Sequence, residues 1–329
     1  MSEKMIAAMD RNLAMEAVRV TEATALAASR LMGRGDERAA DLAAMQAMQT
    51  ALNRLPIDGT VVIGEGEADD TTVLYTGEKV GIGQGSPQID IVLDPLEGST
   101  ICAKGGYNAL AVVAMAERGA FLKVPAIYLD KIAVGPNLPE GVVDLDAPPV
   151  ENLKNLARAK QIEVADLLVC MLDRPRHDDL IAKVRDAGAR VMLIADGDVA
   201  GVIATTLAKT GVDMYLGIGG APEGVLAAAA LYCVGGQMQG RLVVRGDSER
   251  SRAARCGITD AAHKFTLTEM ANGNVLFAAT GVTDGVVLQG VHRYPGGATT
   301  HSMVIRSKTG TVRFIEARHD SLRKGGLDC

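Results

Sequence analysis

The sequence contains no tryptophan, and only 3% of its 329 residues are aromatic. Proteins that bind single-stranded nucleic acid stack the bases on aromatic side chains, so this composition argues against such a role. The net charge of −6 also provides no long-range attraction for a polyanion. We therefore expect no nucleic-acid partner.

Cysteines are few, and long hydrophobic runs are missing. The five cysteines show neither a CxxC pair nor zinc-finger spacing (Cys102, Cys170, Cys233, Cys256 and Cys329). An odd number without a framework is typical of reduced thiols in the cytoplasm. No stretch approaches the roughly 20 apolar residues of a membrane span. The first twelve residues carry charges and do not resemble a signal peptide. We expect a cytoplasmic protein.

Hydrophobic residues make up 48% of the chain, which is enough for one large core or two medium ones. We predict an α/β fold with two mixed domains, residues 1–150 and 151–329. Hydrophobic periodicity in the first domain predicts helices over 12–32 and 37–54. Short apolar runs in the same domain predict strands over 60–63, 73–75, 89–93 and 110–116.

The second domain alternates strands with helices. Strands are predicted over 167–172, 191–195 and 212–216. Helices are predicted over 151–160, 178–187, 198–208 and 222–233. Such alternation indicates parallel βαβ units. Later strands are predicted over 241–245, 275–279, 286–291, 301–306 and 311–316, and segment 246–272 is predicted to be a polar surface excursion.

An acidic loop follows the predicted strand 89–93. Residues 94–100 read Asp-Pro-Leu-Glu-Gly-Ser-Thr, so Asp94 and Glu97 lie three positions apart. Hard divalent cations prefer oxygen ligands, and one loop presenting both carboxylates suits such an ion. Gly98 allows the backbone to approach a phosphate closely. The alternative is an ordinary turn followed by an N-cap serine at Ser99.

Acidic residues recur at three other positions. Residues 65–70 hold four acids in six positions. They either form a cation site that includes Glu65 or lie in a solvated hairpin loop. Glu223 follows a glycine-rich strand-to-helix turn, where metal binding competes with helix capping. Asp41 lies among small apolar residues, which is costly without a partner unless it faces solvent.

Two further motifs are typical of substrate contacts. Arg174-Pro-Arg-His177 follows the predicted strand 167–172, and arginines there suit bidentate phosphate binding. Asp196-Gly-Asp198 follows strand 191–195 and either accepts hydrogen bonds from sugar hydroxyls or caps the next helix. His177 is equally compatible with a capping and a catalytic role.

Together these motifs resemble the class II fructose-1,6-bisphosphatases of bacteria, and the resemblance runs nearly end to end. It also depends on Gly33-Arg-Gly-Asp36, Ile63-Gly-Glu-Gly-Glu67 and Gly219-Gly-Ala-Pro-Glu-Gly224. It implies the layered sugar-phosphatase fold (αβαβα), and relatives form homodimers or homotetramers. It also implies Mg²⁺- or Mn²⁺-dependent release of the 1-phosphate of fructose 1,6-bisphosphate, a step of gluconeogenesis.

The same resemblance implies roles for individual residues. Asp41 and Glu65 match one set of metal ligands, and Asp94, Glu97 and Glu223 match the other. Asp69 matches an acid that positions water, and Ser99 takes the place of a catalytic hydroxyl. Substrate-binding positions are Glu97, Gly98, Ser99, Tyr128, Arg174, Pro175, Arg176, Asp196, Gly197, Asp198 and Gly220.

Ser99 is a departure, because the family usually has Thr at this position. Serine keeps the hydroxyl that attacks the phosphorus or activates water, but it loses the methyl group that restricts χ1. We expect a working but slower enzyme.

Four alternatives stay open from the sequence. A dual enzyme would also hydrolyse sedoheptulose 1,7-bisphosphate, and an inositol monophosphatase would need no second phosphate. A non-catalytic sugar-phosphate sensor would have no need for all five metal carboxylates. A dinucleotide-binding protein would need a proper GxGxxG after its first strand, and neither glycine run of this chain fits that pattern.

Overall fold

The computed structural model describes residues 3–66, 73–83 and 85–320. Its α-helices are α1 (Glu3–Ala28), α2 (Glu37–Leu52), α3 (Ser99–Lys104), α4 (Pro149–Lys160), α5 (Asp178–Asp186), α6 (Asp198–Ala204), α7 (Ala221–Val234), α8 (Asp247–Arg255) and α9 (Leu267–Met270). Its strands are β1 (Asp58–Ile63), β2 (Lys79–Val80), β3 (Gln88–Glu97), β4 (Leu110–Glu117), β5 (Tyr128–Val134), β6 (Leu168–Leu172), β7 (Arg190–Ile194), β8 (Met214–Gly220), β9 (Gln237–Val243), β10 (Phe265–Thr266), β11 (Leu276–Gly281), β12 (His292–Tyr294), β13 (Gly297–Arg306) and β14 (Thr311–Asp320).

The chain forms two compact units, and the first is built from two separate segments. Met1–Phe121 and Gly273–Cys329 make up the first unit, and Leu122–Asn272 makes up the second. This division differs from the predicted boundary at residue 150, which lies inside the second unit. The mixed α/β content predicted for both units is confirmed.

The first unit contains a mixed sheet in the order β12-β13-β11-β4-β3-β1-β2, with β14 paired to β13. β1 and β3 are parallel, and the neighbours of β4 are antiparallel to it. Helix α1 packs on β11 and β13, and α2 packs on β3. Buried apolar side chains such as Val18, Met48 and Leu93 form the core beneath these helices. This packing holds the end of β3 next to α2.

The second unit contains a sheet in the order β10-β9-β5-β8-β6-β7. β6 is parallel to β7 and β8, which confirms the predicted βαβ units, whereas β5 is antiparallel to β8 and β9. Side chains alternate along β5. Ile132 and Val134 belong to the core that contains residues of α4 and α5. Lys131 therefore points to the opposite face of the sheet, where α6 and α7 pack.

Two predicted strands are absent from the described residues, because local hydrogen bonds replace strand pairing there. Residues 73–75 form a turn in which Leu74 has φ of 62° and donates its N–H to Glu78. Residues 286–291 form a loop closed by a hydrogen bond from the Gly285 N–H to the Leu288 carbonyl. The predicted excursion 246–272 contains α8, β10 and α9.

Within the described ranges, no helix is both long enough and apolar enough to cross a bilayer.

Candidate active-site residues

The acidic loop of the first unit is shaped by a β-bulge near the end of β3. Asp94 pairs with Val112 and Glu97 pairs with Leu110, so the register against β4 shifts within this stretch. Bulges re-aim side chains, and they are common next to active sites. The Leu96 N–H donates to Asp94 Oδ1 over 3.0 Å, which fixes that carboxylate. Glu97 itself is buried.

Gly98 joins β3 to α3 in the left-handed region, with φ of 90° and ψ of 47°. Side chains rarely adopt this conformation, so glycine is favoured here. A Cβ would also lie 3.1 Å from Ile101 Cδ1. The sharp turn makes Ser99 the first residue of α3, directly after the two carboxylates.

Ser99 is hydrogen-bonded to Asp41 of α2. Its Oγ lies 2.5 Å from Asp41 Oδ1 and 3.2 Å from the Leu96 carbonyl oxygen. Burial raises the pKa of the Asp41 carboxyl, the hydrogen bond from Ser99 opposes that rise, and the charge of Glu37 adds to it. Asp41 is therefore half-buried next to the hydroxyl, not on an exposed helix face.

Glu65 follows β1, and its backbone N–H donates to the Leu74 carbonyl over 2.9 Å. This bond ties the predicted ligand to the turn at 73–75. Asp69, the predicted water-positioning acid, lies outside the described residues.

In the second unit, a fully buried lysine holds two predicted site residues. Lys131 Nζ donates to Asp198 Oδ2, and it lies 3.3 Å from the Gly220 carbonyl oxygen. The side chains of Lys131 and Asp198 are 0% and 7% exposed. A buried charge of this kind is costly unless it is paired, so the two ions depend on each other. Asp198 also begins α6, directly after Gly197, which has φ of 85°.

Glu223 lies in the first turn of α7, close to the same pair. Burial raises the pKa of its carboxyl, and the charge of Asp198 raises it further, whereas its own backbone N–H and Lys131 act in the opposite direction. Among the described residues, its Oε2 atom is buried without a hydrogen-bond partner. A Cβ at Gly220 would overlap this oxygen, so glycine leaves room for the carboxylate.

Of the two predicted phosphate-binding arginines, Arg176 lies against Tyr128 and Arg174 lies near Asp196. The Arg176 guanidinium carbon lies 4.9 Å from the Tyr128 ring centroid, and its Nε and Nη2 both donate to the Ile218 carbonyl. Arg174 Nη2 lies 3.9 Å from Asp196 Oδ1, and both side chains are more than one-third exposed, so this pair is weak.

His177 is structural. Its Nδ1 lies 2.8 Å from the Leu172 carbonyl oxygen, to which it donates, and its Nε2 accepts from the Ile218 N–H over 2.8 Å. Both ring nitrogens are occupied, so the buried ring connects the ends of β6 and β8. The His177 side chain makes no capping hydrogen bond to α5, so it does not have the predicted capping role.

Comparison with known proteins gives the family. A model described as bacterial fructose-1,6-bisphosphatase, glpX-encoded, matches residues 11–319. The chain is 46% identical to fructose-1,6-bisphosphatase 1 class 2 of Escherichia coli K12 over 96% of this chain and 97% of that protein. The class 2 fructose-1,6-bisphosphatase of Shigella flexneri matches equally well. The chain belongs to the bacterial class II fructose-1,6-bisphosphatase family.

Enzymes of this family depend on a metal, and the donor chemistry of the chain fits one. The predicted ligands are all carboxylates, which are hard oxygen donors that suit Mg²⁺ or Mn²⁺. Glu223 Oε2 is the strongest single indication, because a buried acceptor needs a partner. Within the described part of the chain, no three His, Cys, Asp or Glu side chains are grouped as a ready-made metal site.

Sequence reasoning missed two residues of the class II chain that contact predicted site positions. Lys131 touches Asp198 and Gly220, and the Arg245 guanidinium carbon lies 4.6 Å from the Tyr128 ring centroid. A signal for Lys131 was present, because period-two alternation places it on the same strand face as the buried Leu129 and Ala133. Arg245 follows β9 outside every motif, so nothing in the sequence singled it out.

Proposed function

We propose that this chain hydrolyses the 1-phosphate of fructose 1,6-bisphosphate, giving fructose 6-phosphate and inorganic phosphate. Family membership supports the reaction, and the named relatives are fructose-1,6-bisphosphatases. The observation that carries the proposal is the hydrogen bond from Ser99 to Asp41, directly after the acidic loop. This bond joins a hydroxyl to a carboxylate that is itself a proposed metal ligand.

Asp41 and Glu65 are the proposed metal ligands of one set, and Asp94, Glu97 and Glu223 those of the other, with Mg²⁺ or Mn²⁺ as the proposed ion. A bound divalent cation would polarise the phosphate and neutralise the leaving oxygen. The Leu96 N–H holds Asp94 Oδ1 in place, and the bulge directs Asp94 and Glu97 from one short loop. Asp69 retains its proposed role in positioning water.

Ser99 would act on the phosphorus, either by attacking it or by activating the attacking water. Its proton lies towards Asp41 Oδ1, so the lone pairs of Oγ are left for the reacting group. Asp41 thereby orients the hydroxyl, and an ionised Asp41 is the better acceptor for that proton. Gly98, which lacks a side chain, allows the phosphate to approach the backbone.

The second unit would bind the rest of the sugar bisphosphate. Arg174 and Arg176 would bind the 6-phosphate, and the partly exposed Asp196 would accept hydrogen bonds from sugar hydroxyls. Asp198, which is paired with Lys131, would instead position this loop. Binding energy from this remote phosphate orients the reacting end, so it contributes to rate as well as affinity. Two arginines favour a bisphosphate over a monophosphate.

Phosphate release tests this function. We expect release from fructose 1,6-bisphosphate with Mn²⁺ or Mg²⁺, and none with EDTA. Fructose 6-phosphate is the matched control, because it lacks the 1-phosphate and should release nothing. If no metal supports release from fructose 1,6-bisphosphate, the proposal fails. If calorimetry shows that the protein binds fructose 1,6-bisphosphate but no phosphate is released, the protein is the non-catalytic sugar-phosphate sensor.

We also propose a homodimer or homotetramer. β14 pairs with β13 along its whole length, and its outer face carries exposed Phe314 and Val312, 52% and 36% exposed. An edge strand with exposed apolar side chains is prone to pair with another chain. Light scattering coupled to size exclusion should give a mass of two or four chains. A Phe314→Glu variant should shift that mass downwards, whereas a monomeric mass for the unaltered protein would contradict the proposal.

A further inference from the structure

Two arginines share one tyrosine ring in the second unit. The guanidinium carbons of Arg176 and Arg245 lie 4.9 Å and 4.6 Å from the Tyr128 ring centroid. The ring attracts both cations, and these contacts restrict the conformations of two long side chains that would otherwise be flexible. Two positive charges are thus concentrated around a single side chain.

Neither guanidinium is neutralised by an acid within residues 3–66, 73–83 and 85–320. Arg176 donates to the Ile218 carbonyl, and the guanidinium of Arg245 contacts the ring. Glu249 accepts the backbone N–H of Arg245 over 2.6 Å, so its carboxylate fixes the backbone of that residue. Both arginines are exposed. Adjacent like charges repel, and an anion bound to both would relieve that repulsion.

We propose that Arg245 is a further specificity-determining residue, which binds the unreacted phosphate of a sugar bisphosphate together with Arg176. This inference rests on the proposed function. A phosphate monoester dianion accepts two parallel hydrogen bonds from each planar guanidinium, which a lysine cannot provide. Because both guanidiniums lie against the ring of Tyr128, an anion at the edge of that ring can reach both of them. Arg245 then selects a substrate with two phosphates over a substrate with one.

Arg245→Gln tests this role by comparing two substrates. The KM for fructose 1,6-bisphosphate should rise about tenfold or more, the loss expected for a hydrogen bond to a charged group. The KM for fructose 1-phosphate, which lacks the remote phosphate, should not change. Arg245→Lys should give an intermediate KM, because lysine keeps the positive charge but lacks the planar pair of N–H donors of a guanidinium. Arg250→Gln on α8 is the matched control and should leave both KM values unchanged.

Binding of fructose 6-phosphate, measured by calorimetry, provides a readout that does not depend on turnover. Arg245→Gln should weaken it about tenfold or more. Unchanged binding, or an equal rise in the KM for fructose 1-phosphate, would overturn the role of Arg245. If the unaltered protein binds fructose 6-phosphate through Arg245 but releases no phosphate, the proposed function fails and the role of Arg245 stands.

Discussion

Replacing Ser99 with alanine is expected to lower kcat for fructose 1,6-bisphosphate about 10²- to 10⁴-fold, the usual contribution of a side chain that transfers or directs a proton. The substitution removes the hydroxyl that is hydrogen-bonded to Asp41, but it leaves the acidic loop and the arginines of the second unit in place. KM should therefore change little. Phosphate release at saturating substrate, with circular dichroism as a check on folding, measures this effect.

Ser99→Thr complements that variant, because it introduces the residue that the family usually has at this position. The added methyl group restricts χ1, in a helix mainly to two of the three staggered wells, so kcat should rise by about threefold at most. Thr50→Ala is a control, because the Thr50 hydroxyl only donates to the Gln46 carbonyl on the exposed part of α2. A Ser99→Ala enzyme as active as the unaltered one would remove Ser99 from the mechanism.

Lys131→Met is expected to destabilise the fold by about 3–5 kcal/mol, because it leaves the buried carboxylate of Asp198 without its cation. The lysine side chain is 0% exposed, so water cannot replace it. Urea unfolding followed by far-UV circular dichroism suits a chain without tryptophan. An unchanged midpoint would show that Asp198 does not depend on Lys131.

A double variant separates the cost of the unpaired charge from that of lost packing. Lys131→Met combined with Asp198→Asn should recover about half of the lost stability or more, since a buried neutral amide costs only about 1–3 kcal/mol. Lys79→Met is the surface control. Its pair with Asp58 spans 3.7 Å and its side chain is 68% exposed, so the change should stay within about 1 kcal/mol.

The strands and helices from α4 to α7 could be predicted because their signals are local, whereas β5, α8, β10 and α9 of the same unit were not predicted. Residues 167–216 alternate between apolar runs and amphipathic stretches, and β6, β7 and β8 are parallel as expected. The division of the chain could not be predicted in the same way. It depends on the pairing of β4 with β11, strands far apart in sequence, and periodicity carries no information about pairing.

In the candidate site, too, the sequence predicted local features but not contacts between distant residues. Glycines and carboxylates at strand ends indicated Asp94, Glu97, Gly98 and Glu223, because residue type and spacing reveal their chemistry. The partner of Asp41 could not be predicted, since its contact with Ser99 arises only when α2 packs on β3. The contact between Arg245 and Tyr128 likewise arises only in the folded chain, so sequence alone could not reveal it.

The split construction of the first unit has a consequence for synthesis on the ribosome. Leu122–Asn272 is continuous, so the second unit can bury its core as soon as it emerges. β4 is made earlier, yet its neighbour β11 follows only after that whole unit has been translated. Until then, the edge of the apolar strand β4 has unpaired backbone N–H and C=O groups. Such an edge can pair with another chain and cause aggregation. Nascent chains arrested before Gly273 would therefore be substrates for chaperones, even with a folded second unit.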